Sequence, residues 1–263
     1  MKIFEIIDNG FEVGVLLYYE KEKTFIIELK EELDEWTAPL LFSGFVKKGL
    51  FTIPRDASLL WVRERVIPSG RQNISAILAN HKLKEYDEMK FLEISGGKCS
   101  QDNISLRRIN AIPEYVAKRT EMHLTEVFTS GDDSLICFFA DDTIRKVELK
   151  RLSNVCEIDK ILKNMQLFET CKVGTGGYYA TFNDSIDIPA DVLYKEGVLL
   201  PLTEEDFVAF LCKNVLDTSQ TCELLGCSRQ NVSYMVKQGQ ISPVREDVMG
   251  NLYLKGNVLS NKW

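Results

Sequence analysis

The chain has 263 residues, of which 45% are hydrophobic and 27% charged, with a formal net charge of −7. That profile suits a globular protein of two or three domains and excludes a disordered or fibrous chain, and no apolar run approaches the ~18 residues of a membrane span. The acidic balance argues against a protein that coats nucleic acid over its whole surface.

Seven cysteines, scattered and without CxxC spacing, and two histidines far from any of them supply neither a disulfide framework nor a zinc cluster. No metal or cofactor is expected, and the chain reads as reduced and cytoplasmic. Met1-Lys2-Ile3-Phe4-Glu5 meets an acid too early for a secretory signal. The fold class expected is a multidomain α+β protein.

Residues 1–112 read as an α+β domain. The runs Glu12–Tyr19 and Thr24–Leu29 flank the polar Glu20-Lys21-Glu22-Lys23, which is a hairpin pattern. Leu40–Phe45 and Leu50–Ile53 are further short apolar pieces. The spacing predicts a helix over Arg71–Asn80, with Ile74, Ile77 and Leu78 on one face, and another over Tyr86–Ile94, stopped by Gly96-Gly97. Arg55, Arg63, Arg65 and Arg71 are the candidate phosphate contacts of this stretch. The segment Arg65–Arg71, with Phe91-Leu92 and Gly96-Gly97, resembles the N-terminal subdomain of HipA-type kinases. No kinase core follows, so the resemblance implies a scaffold without phosphotransfer.

Residues 120–200 read as a β-rich domain. Leu124–Phe128, Leu135–Phe139 and Ile144–Leu149 form a meander through turns at Ser130-Gly131-Asp132-Asp133 and Asp141-Asp142. A helix is expected over Cys156–Met165. Phe168–Val173 and Tyr178–Phe182 then pair through Gly174-Thr175-Gly176-Gly177, which lacks the Lys-Ser/Thr of a phosphate loop. Ile186–Pro189 and Val192–Tyr194 close the unit. The order Val173, Gly177, Tyr179, Phe182-Asn183, Asp187-Ile188, Asp191, Leu193-Tyr194 resembles a small β-rich bacterial domain of unknown function found near toxin–antitoxin genes. That resemblance implies an interaction or regulatory role and carries no catalytic residues. The acids at the meander turns are read as turn formers, and His81 and His123 lack a triad partner, so no enzyme is expected.

Residues 203–263 carry the functional argument. Thr203 is placed to cap a helix through Phe207, Phe210 and Leu211. In Thr218–Lys237, Cys222 is the small residue where two helices approach, Gly226 the turn, and Leu225 and Cys227 the apolar floor. Val232 and Met235 point back at that floor, and Ser228 caps a second helix whose first turn is Arg229-Gln230-Asn231. A recognition helix reads bases from its N-terminal end. There Arg pairs with guanine and Gln or Asn with adenine, while Ser233, Tyr234 and Lys237 follow toward base edges and backbone. Ile241–Val244 and Leu252–Leu254 read as a hairpin joined by Arg245–Asn251.

The phrase Leu225-Gly226-x-Ser228-Arg229-x-x-Val232, then Gly239-x-Ile241-x-Pro243 and a second strand, resembles the winged helix–turn–helix of MerR-like and excisionase-like proteins. It implies a wing along the phosphate backbone, with Arg245 and Lys255 as contacts beside the unfavourable Glu246 and Asp247. The expectation is a bacterial or phage-encoded DNA-binding regulator, an antitoxin-like or mobile-element autorepressor. It would bind double-stranded operator DNA as a homodimer on a palindrome. The rival is an interaction protein that neutralises a toxin or defence nuclease through residues 1–200, with DNA binding secondary.

Overall fold

The computed structural model describes residues 1–152, 155, 157–248, 250–254 and 258. It is a mixed α and β structure, and its contacts gather into two compact units. One is residues 1–141 with 147–197; the other is residues 142–146 with the chain from Val198 onward. No helix among the described residues is long and apolar enough to cross a membrane.

The first unit opens with β1 (Lys2–Asp8), β2 (Phe11–Tyr19) and β3 (Thr24–Leu29), followed by α1 (Leu40–Val46), β4 (Thr52–Ile53), α2 (Arg55–Arg65), α3 (Ile74–Asn80), α4 (Glu88–Ser95) and β5 (Ile104–Ile109). The strands form an antiparallel sheet in the order β4-β3-β2-β1-β5. The β2–β3 hairpin stands as expected, with Leu17 opposite Ile26. Alternation sends Leu16, Tyr18, Phe25 and Ile27 to a face packed by Phe42, Trp61, Val62 and Leu92. It sends Val15, Leu17 and Ile26 to the other face, against Val116, Tyr178 and Tyr179. Leu40–Phe45 lies in a helix, because Phe42 and Val46, four apart, are its buried residues. In α2, the buried positions Ser58, Trp61, Val62 and Arg65 have the same spacing.

The unit continues with α5 (Glu114–Thr120), β6 (Leu124–Ser130), β7 (Ser134–Phe139) and the last two residues of β8 (Ile144–Glu148). Then come α6 (Ile158–Leu162), α7 (Met165–Phe168), β9 (Lys172–Val173), β10 (Tyr179–Phe182), β11 (Ile186–Pro189) and α8 (Ala190–Glu196). β6 and β7 form an antiparallel hairpin, and β9, β10 and β11 an antiparallel sheet. The helix expected over 156–165 is instead α6 and α7. Asn164 sits between them and accepts from the Leu167 N–H, which starts a new helix; Cys156 lies outside the described residues. Val192–Tyr194 lies in α8, with Ala190 and Leu193 buried behind Pro189. The interval expected as a boundary, 112–120, falls inside this unit. Tyr178 and Tyr179 seal the second sheet face, and Arg119 reaches the fully buried Glu28 of β3 at 2.6 Å. At Gly177 (φ +77°), a β-carbon would fall on the Leu124 carbonyl oxygen, so only glycine lets the turn close there.

In the second unit, residues 144–146 of β8 pair with β12 (Val198–Leu200). α9 (Glu204–Asn214), β13 (Val215–Leu216), α10 (Thr218–Leu225), α11 (Arg229–Lys237), β14 (Arg245–Val248) and β15 (Gly250–Leu254) follow. The strands order β13-β15-β14, around a core of Val232, Met235, Ile241, Tyr253 and Val258. The first strand of the hairpin is Arg245–Val248, later than the expected Ile241–Val244. Ile241 is spent as a core plug, 1% exposed, and Pro243 has no N–H to give a ladder.

A candidate nucleic-acid interface

The segment from Asp217 to Lys237 is built by local rules. Asp217 caps α10 through a reciprocal pair of bonds with Gln220, at 2.7 and 3.0 Å. Thr221 is fully buried and donates to the Asp217 carbonyl at 2.7 Å, so the small residue at the deepest point is Thr221, while Cys222 beside it is only partly buried. α10 stops at Gly226, whose left-handed backbone (φ 65°, ψ 33°) reverses the chain. The Cys227 N–H closes the turn on the Cys222 carbonyl at 3.0 Å. Burial pushes the Cys227 thiol up, with Cys222 adding to the effect.

Ser228 then caps α11, its hydroxyl accepting from the Asn231 N–H at 3.3 Å. Val232 (1% exposed) and Met235 (4%) seat this helix on the core. The rest of its circumference carries Arg229, Gln230, Asn231, Ser233, Tyr234 and Lys237, all exposed, as is Ser228. The expected site residues of the helix are therefore all exposed, with Arg229, Gln230 and Asn231 forming its first turn. Arg229 donates from Nη2 to Ser219 Oγ at 2.9 Å, which props the guanidinium against α10. Ser219 was not among the expected site residues; its place two residues after the Asp217 cap is the only sequence signal for it. Arg245 is exposed at the start of β14, with exposed Glu246 next to it. Lys255 lies outside the described residues.

The arginines of the N-terminal stretch do not assemble a second cationic surface. Arg55 pairs with Asp187 at 2.7 Å and Arg63 with Glu88 at 3.4 Å. Arg65 is buried, bonded to Asp102 at 2.9 Å and stacked on Trp61 at 4.2 Å. Arg71 is exposed. Among the described residues, no group of three or more His, Cys, Asp or Glu is placed to hold a metal ion. No protein-family model, curated protein or solved structure matches the chain.

Proposed function

We propose that the chain is a sequence-specific double-stranded DNA-binding regulator whose residues 203–263 act as a winged helix–turn–helix, with α11 as the helix that enters the major groove. One observation carries this reading: the polar face of α11 is presented to solvent as a set, while Val232 and Met235 anchor the opposite face. An Arg, Gln and Asn in the first turn of such a helix supply bidentate partners for guanine and adenine. Lys237 and Arg245 supply phosphate contacts. A handful of such contacts gives weak, salt-sensitive binding by one module, so useful affinity requires two copies on a palindrome. The form this takes is autorepression of its own operon, as for an antitoxin-like or mobile-element regulator. Selection of bound DNA from a random duplex library tests it: enrichment of an inverted repeat supports the reading, and recovery of unselected sequence at fixed salt overturns it.

A second reading, capture of a protein partner through residues 1–200, is favoured by the segment before α1. Asp34 accepts from the N–H groups of Trp36 and Thr37 and from the Thr37 hydroxyl, at 2.8–2.9 Å. The turn holds Trp36 86% exposed, with Leu40 90% exposed nearby. An exposed tryptophan on a hydrogen-bonded turn has the character of an interface anchor. Under this reading Trp36→Ala releases a partner that copurifies at fixed stoichiometry with the wild-type chain; retention of that partner by the variant removes Trp36 from the interface.

A further inference from the structure

The first unit contains a cavity of about 200 Å³ that the DNA-binding reading does not use. Its walls are mostly apolar or aromatic, including Ile26, Leu50, Phe51, Met122, Tyr178 and Tyr179. The side chains come from β3, the segment before β4, the turn after α5, and the start of β10. It is therefore assembled from both halves of the unit and is rigid where Tyr178 and Tyr179, 6% and 5% exposed, pack on the sheet.

Each cation around it already has a carboxylate partner, and Arg119 has two. Arg119 is held by Glu28 at 2.6 Å and Glu31 at 3.2 Å, and its Nη2 also donates to the Leu29 carbonyl at 2.8 Å. Arg55 meets Asp187 at 2.7 Å and lies over the Tyr179 ring at 5.0 Å. Lys195 meets Asp191 at 2.9 Å. His123, packed on Tyr178 with ring centroids 4.0 Å apart, is neutral, because burial holds its pKa down at about 4. A charged guest would have to shed its water and bring a net charge into a mostly apolar site whose own charges already have partners, which is costly. An uncharged guest meets no such demand. Aromatic walls favour a flat ring by offset or edge contact. Size narrows it further: an apolar cavity of about 150 Å³ accepts a benzene, so this one has room for slightly more, and drug-sized ligands need upward of about 300 Å³. The paired carboxylates and cations at the wall still offer acceptors and donors to ring nitrogens.

We propose that this cavity binds a small, uncharged, planar heteroaromatic molecule of one or two fused rings. The inference does not depend on DNA binding, since every residue of the site belongs to the first unit.

Calorimetric titration of the full chain tests it, with indole and adenine as uncharged probes and benzoate and benzamidine as charged ones of similar breadth. The expected result is saturable binding of an uncharged probe at one per chain, accompanied by a rise in melting temperature. Both charged probes should bind at least about tenfold more weakly. Met122→Trp, which fills the cavity, should abolish binding. Leu50→Trp, at a position already 37% exposed and so tolerant of a larger side chain, should weaken it even if the first variant folds poorly. Three results would overturn the proposal: neither uncharged probe saturates at millimolar concentration, a charged probe binds tighter, or folded Leu50→Trp and Met122→Trp bind as the wild type does.

Discussion

Arg229 illustrates how one side chain is readied for two states. In the free chain its guanidinium rests on Ser219 Oγ, a single hydrogen bond from a charged donor to a neutral hydroxyl, and a guanine edge offers a stronger bidentate partner. Arg229→Ala is expected to weaken operator binding by about 1–3 kcal/mol per half-site in a gel-shift titration at fixed salt; an unchanged titration removes the residue from base reading. Ser219→Ala, which takes away only the prop, should cost much less. The glycines separate two sources of strain. Gly226 needs its positive φ but has open space around it, whereas Gly177 has positive φ and a carbonyl where a β-carbon would go. Gly226→Ala is expected to cost about 1–2 kcal/mol, and Gly177→Ala clearly more, when both are compared by urea denaturation. Equal costs would mean that the turn at Gly177 relaxes freely.

α9 carries strong signals at its ends and little burial among the described residues. Thr203 and Asp206 make a capping box, three acids occupy the first turn and Lys213 the last, in keeping with the helix dipole. Yet every residue of it is at least partly exposed, Val208 at 48% and Phe210 at 49%. An eleven-residue helix with so little burial among the described residues is marginal in water on its own. A two-fold contact between copies through α9 would bury more of it and, under the proposed function, hold two copies of α11 for a palindrome. Phe210→Glu is therefore expected to convert dimers to monomers in sedimentation analysis and to lose palindrome binding while single half-site binding persists. A dimer that survives the substitution places the two-fold contact elsewhere.

For the whole molecule, the burial of His123 in the first unit makes stability depend on pH in the acidic range. His123 is held near pKa 4 against an ordinary 6.5, chiefly by burial, with a hydrogen bond to the Gly176 backbone pulling the other way. Because the folded value is the lower one, the unfolded chain takes up the proton first. This contribution is complete above about pH 6.5 and drains away as the pH falls toward 4. Between pH 7 and pH 4.5 the wild type should lose about 2 kcal/mol more unfolding free energy than His123→Asn, which cannot titrate there. Parallel curves for the two proteins would show that His123 is solvated. Burial also pushes the Glu28 carboxyl up, opposed by Arg119. Glu28 stays in both proteins, so the comparison cancels it.

The amino-acid order alone determined those parts whose forces act over a few residues. The β2–β3 hairpin follows from two apolar runs around a polar turn. The α10–α11 pair follows from a glycine, a serine cap and apolar residues three apart, all within Thr218–Lys237. Folding in three dimensions decided the rest. That Arg55 and Arg65 are consumed in ion pairs depends on Asp187 and Asp102, distant in the chain. Arg119 finds Glu28 across 91 positions, and the cavity has walls from five separate segments. A local pattern carries no trace of such contacts, because a side chain's partner across the core is set by how whole sheets and helices stack, and many sequences satisfy one stacking equally well.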